Sequence, residues 1–347
     1  MYTARSARRV TVFALGGTIA MTTTAEGGVA PALSAEQLLA AVPGLAETGI
    51  AVDMVDFRQL PGASLRLSDI AALAEAISAA NDVDGFVVTQ GTDTIEETAY
   101  LLDLLHTAPT PIVVTGAMRN PTLAGADGPA NLLAAIRTAA DPDARDQGCL
   151  VVLNDEIHAA RRVRKTHTTS TATFASPTGG PLGHLTEGRP RLLNTLTHRI
   201  TVPAPPRDGL RVPVYTTVLG DEPDILTALA ASVDGLVLAG FGVGHVPDRL
   251  ATILADLADT IPVVLTSRTG AGPVLRSTYG FPGSERDLIA RGLIPAGTLD
   301  TLKARILLTT LITIGADPAT TATAFAVAGG DQPLHAWPWP TTQRDNY

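Results

Sequence analysis

The most constraining feature of this sequence is an apolar run that ends in a polar turn and is followed at once by a helix-like segment. The clearest example is Val87-Val88-Thr89-Gln90-Gly91-Thr92-Asp93-Thr94, with the helix-like stretch 95–106 behind it. The same order occurs where Val10 to Leu15 runs into Gly16-Gly17-Thr18. Strand, turn and helix in this order build parallel α/β sheets, whose carboxyl edge is where ligands bind. The pattern therefore predicts hydroxyl and carboxylate side chains at a ligand-binding edge.

Strand-like and helix-like stretches alternate through most of the chain, which predicts an α/β fold. In the first half, Ser68 is predicted to cap the second helix, and Thr94 with Glu97 forms a capping-box pattern for the third. The predicted strands are 10–15, 50–57, 84–90, 111–115, 148–153, 212–218, 234–239 and 262–266. The predicted helices are 34–41, 68–80, 95–107, 129–139, 223–232, 247–258, 285–291 and 299–313.

The organisation suggests two α/β domains, which suits a chain of 347 residues. A larger N-terminal parallel-sheet domain is expected over 1–202, with loops and hairpins in its Thr-, Gly- and Pro-rich part from 154 onwards. The proline-rich segment 203–211 is expected to be a linker. A smaller Rossmann-like domain is expected over 212–347, and no fixed-period repeat is found.

Composition excludes several classes of protein. The net charge is −9, and the one basic cluster, Arg161, Arg162, Arg164 and Lys165, is too small for a nucleic-acid surface. No stretch approaches the roughly 20 apolar residues that span a bilayer. The single cysteine, Cys149, lies in an apolar strand-like run and is expected to be a core residue. We therefore expect a soluble cytoplasmic protein, with no nucleic-acid or membrane partner.

Several residues at the predicted strand ends are candidates for chemistry. Thr18, Ser64, Thr92 with Asp93, and Ala117 each follow a different predicted strand, so a parallel sheet would bring them to one edge. Thr92 and Asp93 are also good helix caps, and Thr18 is also a common turn residue. Lys165 is either a solvated loop residue or, in a partly buried site, a base for a threonine hydroxyl. The segment 21–33 is a candidate lid.

The residues in these turns carry a family resemblance that spans nearly the whole chain. The sequence resembles the bacterial-type L-asparaginases, amidohydrolases that act on asparagine and glutamine. Two motifs carry most of the likeness, Leu15-Gly16-Gly17-Thr18-Ile19-Ala20 and Gln90-Gly91-Thr92-Asp93-Thr94. Further matches are Glu96-Glu97-Thr98-Ala99-Tyr100, Thr115-Gly116-Ala117-Met118-Arg119, Asp127-Gly128-Pro129, Lys165 before Thr166, and Ala239-Gly240-Phe241-Gly242 with Gly244.

The resemblance implies a role for each site residue. Thr18 would be the acylated nucleophile, and Thr92 with Lys165 would form a second hydroxyl–amine pair joined to Asp93. The α-carboxylate and α-amine of the substrate would be held by Ser64 and Asp93. The predicted substrate-binding set is completed by Leu65, Gly91, Thr92 and Ala117. The family also implies a homotetramer, a dimer of dimers, with no metal and no organic cofactor.

The sequence departs from the family pattern at several positions. Leu15 stands where the first motif usually has Thr, and Gln90 where the second usually has His. No Tyr occurs between Met21 and Leu33, where many relatives carry one beside the nucleophile. A Glu that relatives supply from a partner subunit falls near Tyr279, and His245 falls where some relatives have Asn. We therefore predict that Tyr279 supplies the missing phenol.

The sequence thus predicts an enzyme that releases ammonia from L-asparagine by double displacement. It does not decide which threonine attacks first. Three alternatives remain: a related amidase for glutamine or a D-amide, the ammonia-supplying subunit of a tRNA amidotransferase, and a non-catalytic amino-acid-binding module. The amidotransferase alternative would require an added nucleic-acid-binding region, and an ammonia-release assay separates the binding module from the enzymes.

Overall fold

The computed structural model of the chain describes residues 7–17, 21–23, 29–31, 37, 39 and 41–343, with the backbone alone at 21–23, 29–31 and 342–343. Two compact units are present. One spans the chain up to Arg199 and resumes at Thr342, and the other is Ile200–Thr341. The expected division into 1–202 and 212–347, with the linker 203–211, stays a prediction.

The first unit is built on a mixed eight-stranded sheet, whose order is β12-β11-β8-β7-β6-β5-β1-β4. The adjacent strands in the series β7-β6-β5-β1-β4 are parallel to one another. Strands β8, β11 and β12 extend the sheet beyond β7 with antiparallel pairs. Separate hairpins are formed by β2 with β3 and by β9 with β10. The strands are β1 Arg9–Ala14, β2 Met21–Thr23, β3 Val29–Pro31, β4 Ala51–Asp56, β5 Gly85–Thr89, β6 Ile112–Thr115, β7 Cys149–Leu153, β8 Glu156–Ala159, β9 Arg164–Lys165, β10 Phe174–Ala175, β11 Gly183–Thr186 and β12 Arg189–Leu192.

Three helices of the first unit connect the parallel strands: α1 Leu67–Ala79, α2 Ile95–Leu105 and α3 Gly128–Ala139. The β5 strand is buried at every position, as expected for a strand covered on both faces. Val87 and Val113 of the sheet pack with Leu132 and Ile136 of α3 in one aliphatic core. Fully burying such side chains stabilises the fold by roughly 1.5–3 kcal/mol each, and it holds the strand ends in fixed register.

Ser68 is not the cap of its helix, and Thr94 occupies the predicted N-cap position without the predicted capping bond. The first helix begins at Leu67, one residue before the predicted cap Ser68, and the backbone N–H of Arg66 donates to the Asp69 carboxylate at 3.0 Å. Thr94 does precede α2, but its side chain makes no capping bond. Its hydroxyl instead donates to the carbonyl of Gly62 at 3.0 Å. A tertiary contact has therefore replaced the local one.

The second unit is built on a four-stranded parallel sheet, in the order β14-β15-β16-β17. Its core includes Leu236 and Leu265 of the sheet with Leu254 and Leu288 of two helices. The remaining strands of the chain are β13 His198–Ile200, β14 Val214–Thr216, β15 Leu236–Gly240, β16 Val263–Ser267, β17 Ile294–Pro295 and β18 Thr341–Gln343. The helices are α4 Asp224–Ala230, α5 Ala251–Ala258, α6 Glu285–Ala290, α7 Thr301–Thr313 and α8 Pro318–Ala328.

The predicted two-part α/β architecture is confirmed, with most elements within two or three residues of their predicted bounds. The helix Pro318–Ala328 was missed, although Asp317 accepts the N–H of Thr320 as an N-cap and Pro318 occupies the first turn. The helix predicted over 34–41 falls mostly outside the described residues. Cys149 is fully buried at the start of β7, as predicted.

The described ranges contain neither a candidate membrane-spanning helix nor a candidate metal-binding cluster. None of the helices there is long and apolar enough to cross a membrane. No three or more His, Cys, Asp or Glu side chains in those ranges form a group that could hold a metal ion.

Candidate active site

Four parallel strands end side by side at the carboxyl edge of the first sheet. The order β6-β5-β1-β4 makes them neighbours, so the turns that follow them lie next to one another. The register continues past the strands: the N–H of Leu15 donates to the Thr89 carbonyl at 2.8 Å, that of Leu60 to Leu15 at 3.0 Å, and that of Gln90 to Thr115 at 3.1 Å. The predicted convergence of the turns at one edge is present.

The turns touch through glycine backbones. A Cβ built on Gly17 would lie 2.1 Å from the nitrogen of Gly91, and one built on Gly62 would lie 2.9 Å from the Gly91 carbonyl oxygen. Gly17 also has φ +89°, a conformation that side chains rarely adopt. Any larger residue at these positions would force the turns apart. The glycines therefore set how closely the neighbouring side chains approach.

Thr92, Asp93 and Lys165 meet at this edge. Thr92 and Asp93 begin the 3-10 turn Thr92–Thr94, and Thr92 is only 6% exposed. Lys165 is held on the β9–β10 hairpin opposite Phe174. Its Nζ donates to Thr92 Oγ1 at 2.9 Å and to Asp93 Oδ1 at 2.7 Å. Side chains more than 70 positions apart in the chain thus form one hydroxyl–amine–carboxylate group, in the combination expected from the sequence.

A further carboxylate, Glu96, fixes the strand that carries Lys165. Glu96 lies in the first turn of α2 and is 4% exposed. Its Oε1 accepts the backbone N–H of Lys165 at 3.3 Å. One helical turn, Thr92 to Glu96, therefore contacts both the amine and the main chain of the lysine. The sequence did not reveal this role, because an acidic residue in the first turn of a helix ordinarily stabilises the helix itself.

The loop at Ala117 is held by side chains of α3 and the residue before it. The carboxylate of Asp127 accepts the N–H groups of Met118 at 3.0 Å and Arg119 at 2.8 Å. The amide of Asn131 donates to the Gly116 carbonyl at 3.0 Å. Ala117 is 1% exposed, so its backbone is fixed against the sheet edge. The sequence signal for this support was the Asp127-Gly128-Pro129 motif, but Asn131 had none.

Ser64 and Leu65 close the turn that follows β4. Ser64 ends the 3-10 turn Gly62–Ser64 and is exposed, with its N–H donating to Pro61 at 2.9 Å. Leu65 is half-buried and its N–H donates to the Gly62 carbonyl at 3.3 Å. Because Gly62 contacts Gly91, this turn lies beside the one that carries Thr92 and Asp93.

Thr18, the predicted nucleophile, lies outside the described residues, as does most of the predicted lid. Gly17, which directly precedes it in the chain, is described and is buried against Gly91. Within the lid segment, the backbones of β2 and β3 pair antiparallel, with Met21 opposite Pro31.

Tyr279 lies in the second unit, in an aromatic cluster with His245 and Phe281. Its ring is 43% exposed and meets the His245 ring edge to face, with centroids 4.9 Å apart. The buried carboxylate of Glu285 accepts the N–H groups of Tyr279 at 2.7 Å and Thr278 at 2.9 Å, and lies 3.2 Å from His245 Nε2. Burial opposes the charge, but these donors keep the pKa of Glu285 below its ordinary value. The catalytic role of Tyr279 stays a prediction.

Comparisons with known proteins identify the family. Residues 9–198 match the family described as Asparaginase, N-terminal, and residues 211–325 match the Glutaminase/Asparaginase C-terminal domain. Together these matches cover most of the chain. The chain belongs to the asparaginase family of amidohydrolases. The N-terminal family match covers the eight-stranded sheet, and the C-terminal family match covers the four-stranded sheet.

Individual relatives in the family cover nearly all of the chain. A probable L-asparaginase of Deinococcus radiodurans is 36% identical over 89% of this chain and 94% of its own. L-asparaginase 2 of Escherichia coli is 35% identical over 89% of this chain and 90% of its own. The crystal structure of a probable cytoplasmic L-asparaginase from Campylobacter jejuni matches with a TM-score of 0.81 and 30% identity, covering 92% of this chain and 99% of that one. The fold and family expected from the motifs are thereby confirmed.

Proposed function

We propose that this chain hydrolyses the side-chain amide of L-asparagine to L-aspartate and ammonia through an acyl-enzyme on Thr18. The single observation that carries the proposal is the contact of Lys165 Nζ with Thr92 Oγ1 and Asp93 Oδ1, at 2.9 and 2.7 Å. The contact lies on the sheet edge where Gly17, the residue before Thr18, packs on Gly91. Family membership and the names of the relatives support the same substrate.

The reaction proceeds in two displacements. The hydroxyl oxygen of Thr18 attacks the amide carbon, and the proposal assigns stabilisation of the oxyanion to N–H groups at the start of the Thr92 turn and at Ala117. The C–N bond breaks and ammonia leaves with the proton that Thr18 gave up. Water then attacks the ester, which releases L-aspartate and restores Thr18. Two smaller barriers in place of one are the usual gain of covalent catalysis.

Thr92 and Lys165 manage protons in this scheme. A proton can pass between the Thr92 hydroxyl and the Lys165 amine over their 2.9 Å contact. Asp93 orients the amine from its other side. Substrate recognition is assigned to the neighbouring turns: Ser64 and Leu65 for the α-carboxylate, the exposed carboxylate of Asp93 for the α-amine, and the Gly91 and Ala117 backbones for the side-chain amide.

Steady-state ammonia release by the wild type and by Thr18→Ala, Thr92→Val and Lys165→Met tests the proposal. Each variant should lose at least about a thousandfold in kcat, near 4 kcal/mol of transition-state stabilisation. Far-ultraviolet circular dichroism should be unchanged, because Thr92 and Lys165 are not part of the aliphatic core and Thr18→Ala removes only a small side chain. A wild type that binds L-asparagine and releases no ammonia would instead support the non-catalytic binding module.

L-Glutamine is proposed as a second, weaker substrate. The description of the C-terminal match includes glutaminase as well as asparaginase. One extra methylene changes discrimination by only about 10- to 200-fold in an apolar pocket. Measuring kcat/KM for L-asparagine, L-glutamine and D-asparagine on one preparation ranks the three amides directly.

A homotetramer and a cytoplasmic location complete the proposal. Closed symmetry is the rule for soluble homo-oligomers, and light scattering coupled to gel filtration measures the assembly. The location is supported by the name of the Campylobacter jejuni protein, whereas a relative from Haemophilus influenzae is named periplasmic. Cell fractionation decides between the two compartments.

A further inference from the structure

Two partly buried hydrogen bonds in series, from Gln90 to Thr94 to Gly62, join the turn that carries Thr92 and Asp93 to the turn that carries Ser64. The side-chain amide of Gln90 donates through Nε2 to Thr94 Oγ1 at 3.2 Å. The Thr94 hydroxyl donates in turn to the Gly62 carbonyl at 3.0 Å. Gly62 is the first residue of the Gly62–Ser64 turn.

The chemistry of the three groups determines which one donates in each of these hydrogen bonds. A threonine hydroxyl has one proton, and Thr94 gives it to a carbonyl, so its oxygen must accept from residue 90. Gln90 Nε2 also lies 3.3 Å from the Gly91 carbonyl, which can only accept, so the nitrogen faces this side. Residue 90 therefore has to be a donor. Both the Gln of this chain and the His usual in the family motif meet that requirement.

The two hydrogen bonds from Gln90 to Thr94 to Gly62 are attached to the sheet at one end and to the substrate-binding turn at the other. Gln90 is fully buried, and its backbone N–H donates to Thr115 at 3.1 Å as an extension of the β5–β6 ladder. The Gly62 turn follows β4, and the Thr94 hydroxyl joins it to the β5–β6 side of the sheet. That hydroxyl is diverted from capping α2, a role that normally stabilises a helix.

The contact between Thr92 and Lys165 does not depend on the hydrogen bonds made by Gln90 and Thr94. Lys165 is held by Thr92, by Asp93 and, at its backbone, by Glu96. None of these contacts uses the side chain of Thr94 or Gln90. Loss of the Thr94 hydroxyl should therefore shift Ser64 and leave the Thr92–Lys165 contact in place.

We propose that Gln90 and Thr94 are positioning residues that set the spacing between Ser64 and Asp93. That spacing fixes how tightly the α-carboxylate and α-amine of an amino-acid substrate are held together. The inference rests on the proposed function, because it assigns those two groups to Ser64 and Asp93. The hydrogen bonds of Gln90 and Thr94 therefore control substrate affinity rather than the chemical step.

Steady-state kinetics on L-asparagine with substitutions at Thr94 test the inference. Thr94→Val keeps the shape and removes the hydroxyl, and it should raise KM about tenfold, the size of one buried hydrogen bond, while kcat stays within about threefold. Thr94→Ser restores the hydroxyl and should return KM to within about threefold of the wild type. A fall in kcat with KM unchanged would overturn the inference.

Substitutions at Gln90 test the same link from its other end. Gln90→Leu removes the donor and should raise KM as Thr94→Val does. Gln90→His keeps a donor and should leave KM near the wild-type value at about pH 8, where an ordinary imidazole is neutral. Equal KM values for the Leu and His variants would contradict the need for a donor. This pair also serves if Thr94→Val does not fold.

Thr138→Val is the matched control. The buried Thr138 hydroxyl donates to the Ala134 carbonyl at 2.8 Å within α3, away from the two turns. This variant should lose comparable stability and keep KM, so a similar rise in KM would show a general effect of lost stability. A wild type that releases no ammonia would contradict the proposed function alone. Calorimetric affinity for L-aspartate would then compare the same variants and test the spacing by itself.

Discussion

The two larger sheets of the described residues both contain neighbouring parallel strands, yet the carboxyl edges of those strands are used differently. In the first unit, the Thr92 hydroxyl faces the amine of Lys165. In the second unit, the hydroxyl of Thr217 donates to the Ala239 carbonyl at 3.0 Å, and that of Ser267 donates to the Gly242 carbonyl. Those hydroxyls are used by the backbone next to them. A polar residue after a strand is therefore not enough to make a site.

Glycine contacts between turns build the first edge. In the first unit Gly17, Gly62 and Gly91 come from turns after three different strands, and they pack on one another. In the second unit a Cβ on Gly240 would meet the His245 carbonyl at 2.8 Å, within the same turn. Contacts between turns bring side chains of different strands together, whereas a contact within a turn only folds that turn. Convergence at the first edge depends on backbone contact.

The largest effect should come from adding a methyl group at the glycine contact. In Gly17→Ala the new Cβ would need a position 2.1 Å from Gly91 N, so the turns must separate. We expect at least about a thousandfold loss of ammonia release, or about 4 kcal/mol. Gly242→Ala is the control, because Gly242 also has a positive φ, +48°, but open space around its Cβ. It should keep activity within about threefold, and equal losses in both variants would remove the comparison.

Acid should weaken the first unit before the second. His158 is fully buried on β8 beside the Ser176 hydroxyl, and burial with nearby His184 lowers its pKa to about 4. An unfolded histidine titrates near 6.5, so the unfolded chain binds more protons between these values. The free energy of unfolding should therefore fall by up to about 3 kcal/mol as the pH drops from about 6.5 to about 4.

The second unit should respond at lower pH. The pKa of Glu285 lies below its ordinary value of 4.5, so its stabilisation is present above that pH and is lost only as the pH falls through the lowered pKa. Both tryptophans of the chain, Trp337 and Trp339, lie in the second unit and report on it by fluorescence. From about pH 7 to 5, the urea midpoint by circular dichroism should fall more than the midpoint by fluorescence. His158→Gln should reduce the difference between the two midpoints. Identical shifts of both midpoints in the wild type would contradict the prediction that acid weakens the first unit before the second.

The smallest effect tests whether the second unit takes part in catalysis. Tyr279→Phe keeps the ring packed on His245 and Phe281 and removes only the phenol. If Tyr279 supplies the phenol that the lid segment lacks, kcat should fall about tenfold or more, near 1.4 kcal/mol. The thermal midpoint should stay the same, since the ring contacts remain. An unchanged kcat would confine the chemistry to the first unit.

Sequence patterns predicted what depends on neighbouring residues, and they failed where distant ones decide. Apolar runs gave the strands because burial repeats along each segment, as in β5. The capping pattern at Thr94 was wrong because Gly62, 32 residues earlier, takes its hydroxyl. The Thr92–Asp93–Lys165 group was predicted from motifs rather than from geometry. Glu96 was part of a matching motif, but its contact with Lys165 was not predicted, because the two residues lie 69 positions apart.

The most direct test of the central claim is to locate the acyl group. Rapid acid quenching during turnover of L-asparagine, followed by peptide mapping in a mass spectrometer, identifies the esterified residue. Lys165→Met run in parallel should show a slower approach to the same adduct. An aspartyl ester on Thr18 is the predicted result. An ester on Thr92, whose hydroxyl is already bonded to Lys165, would contradict the assignment of nucleophile and proton carrier.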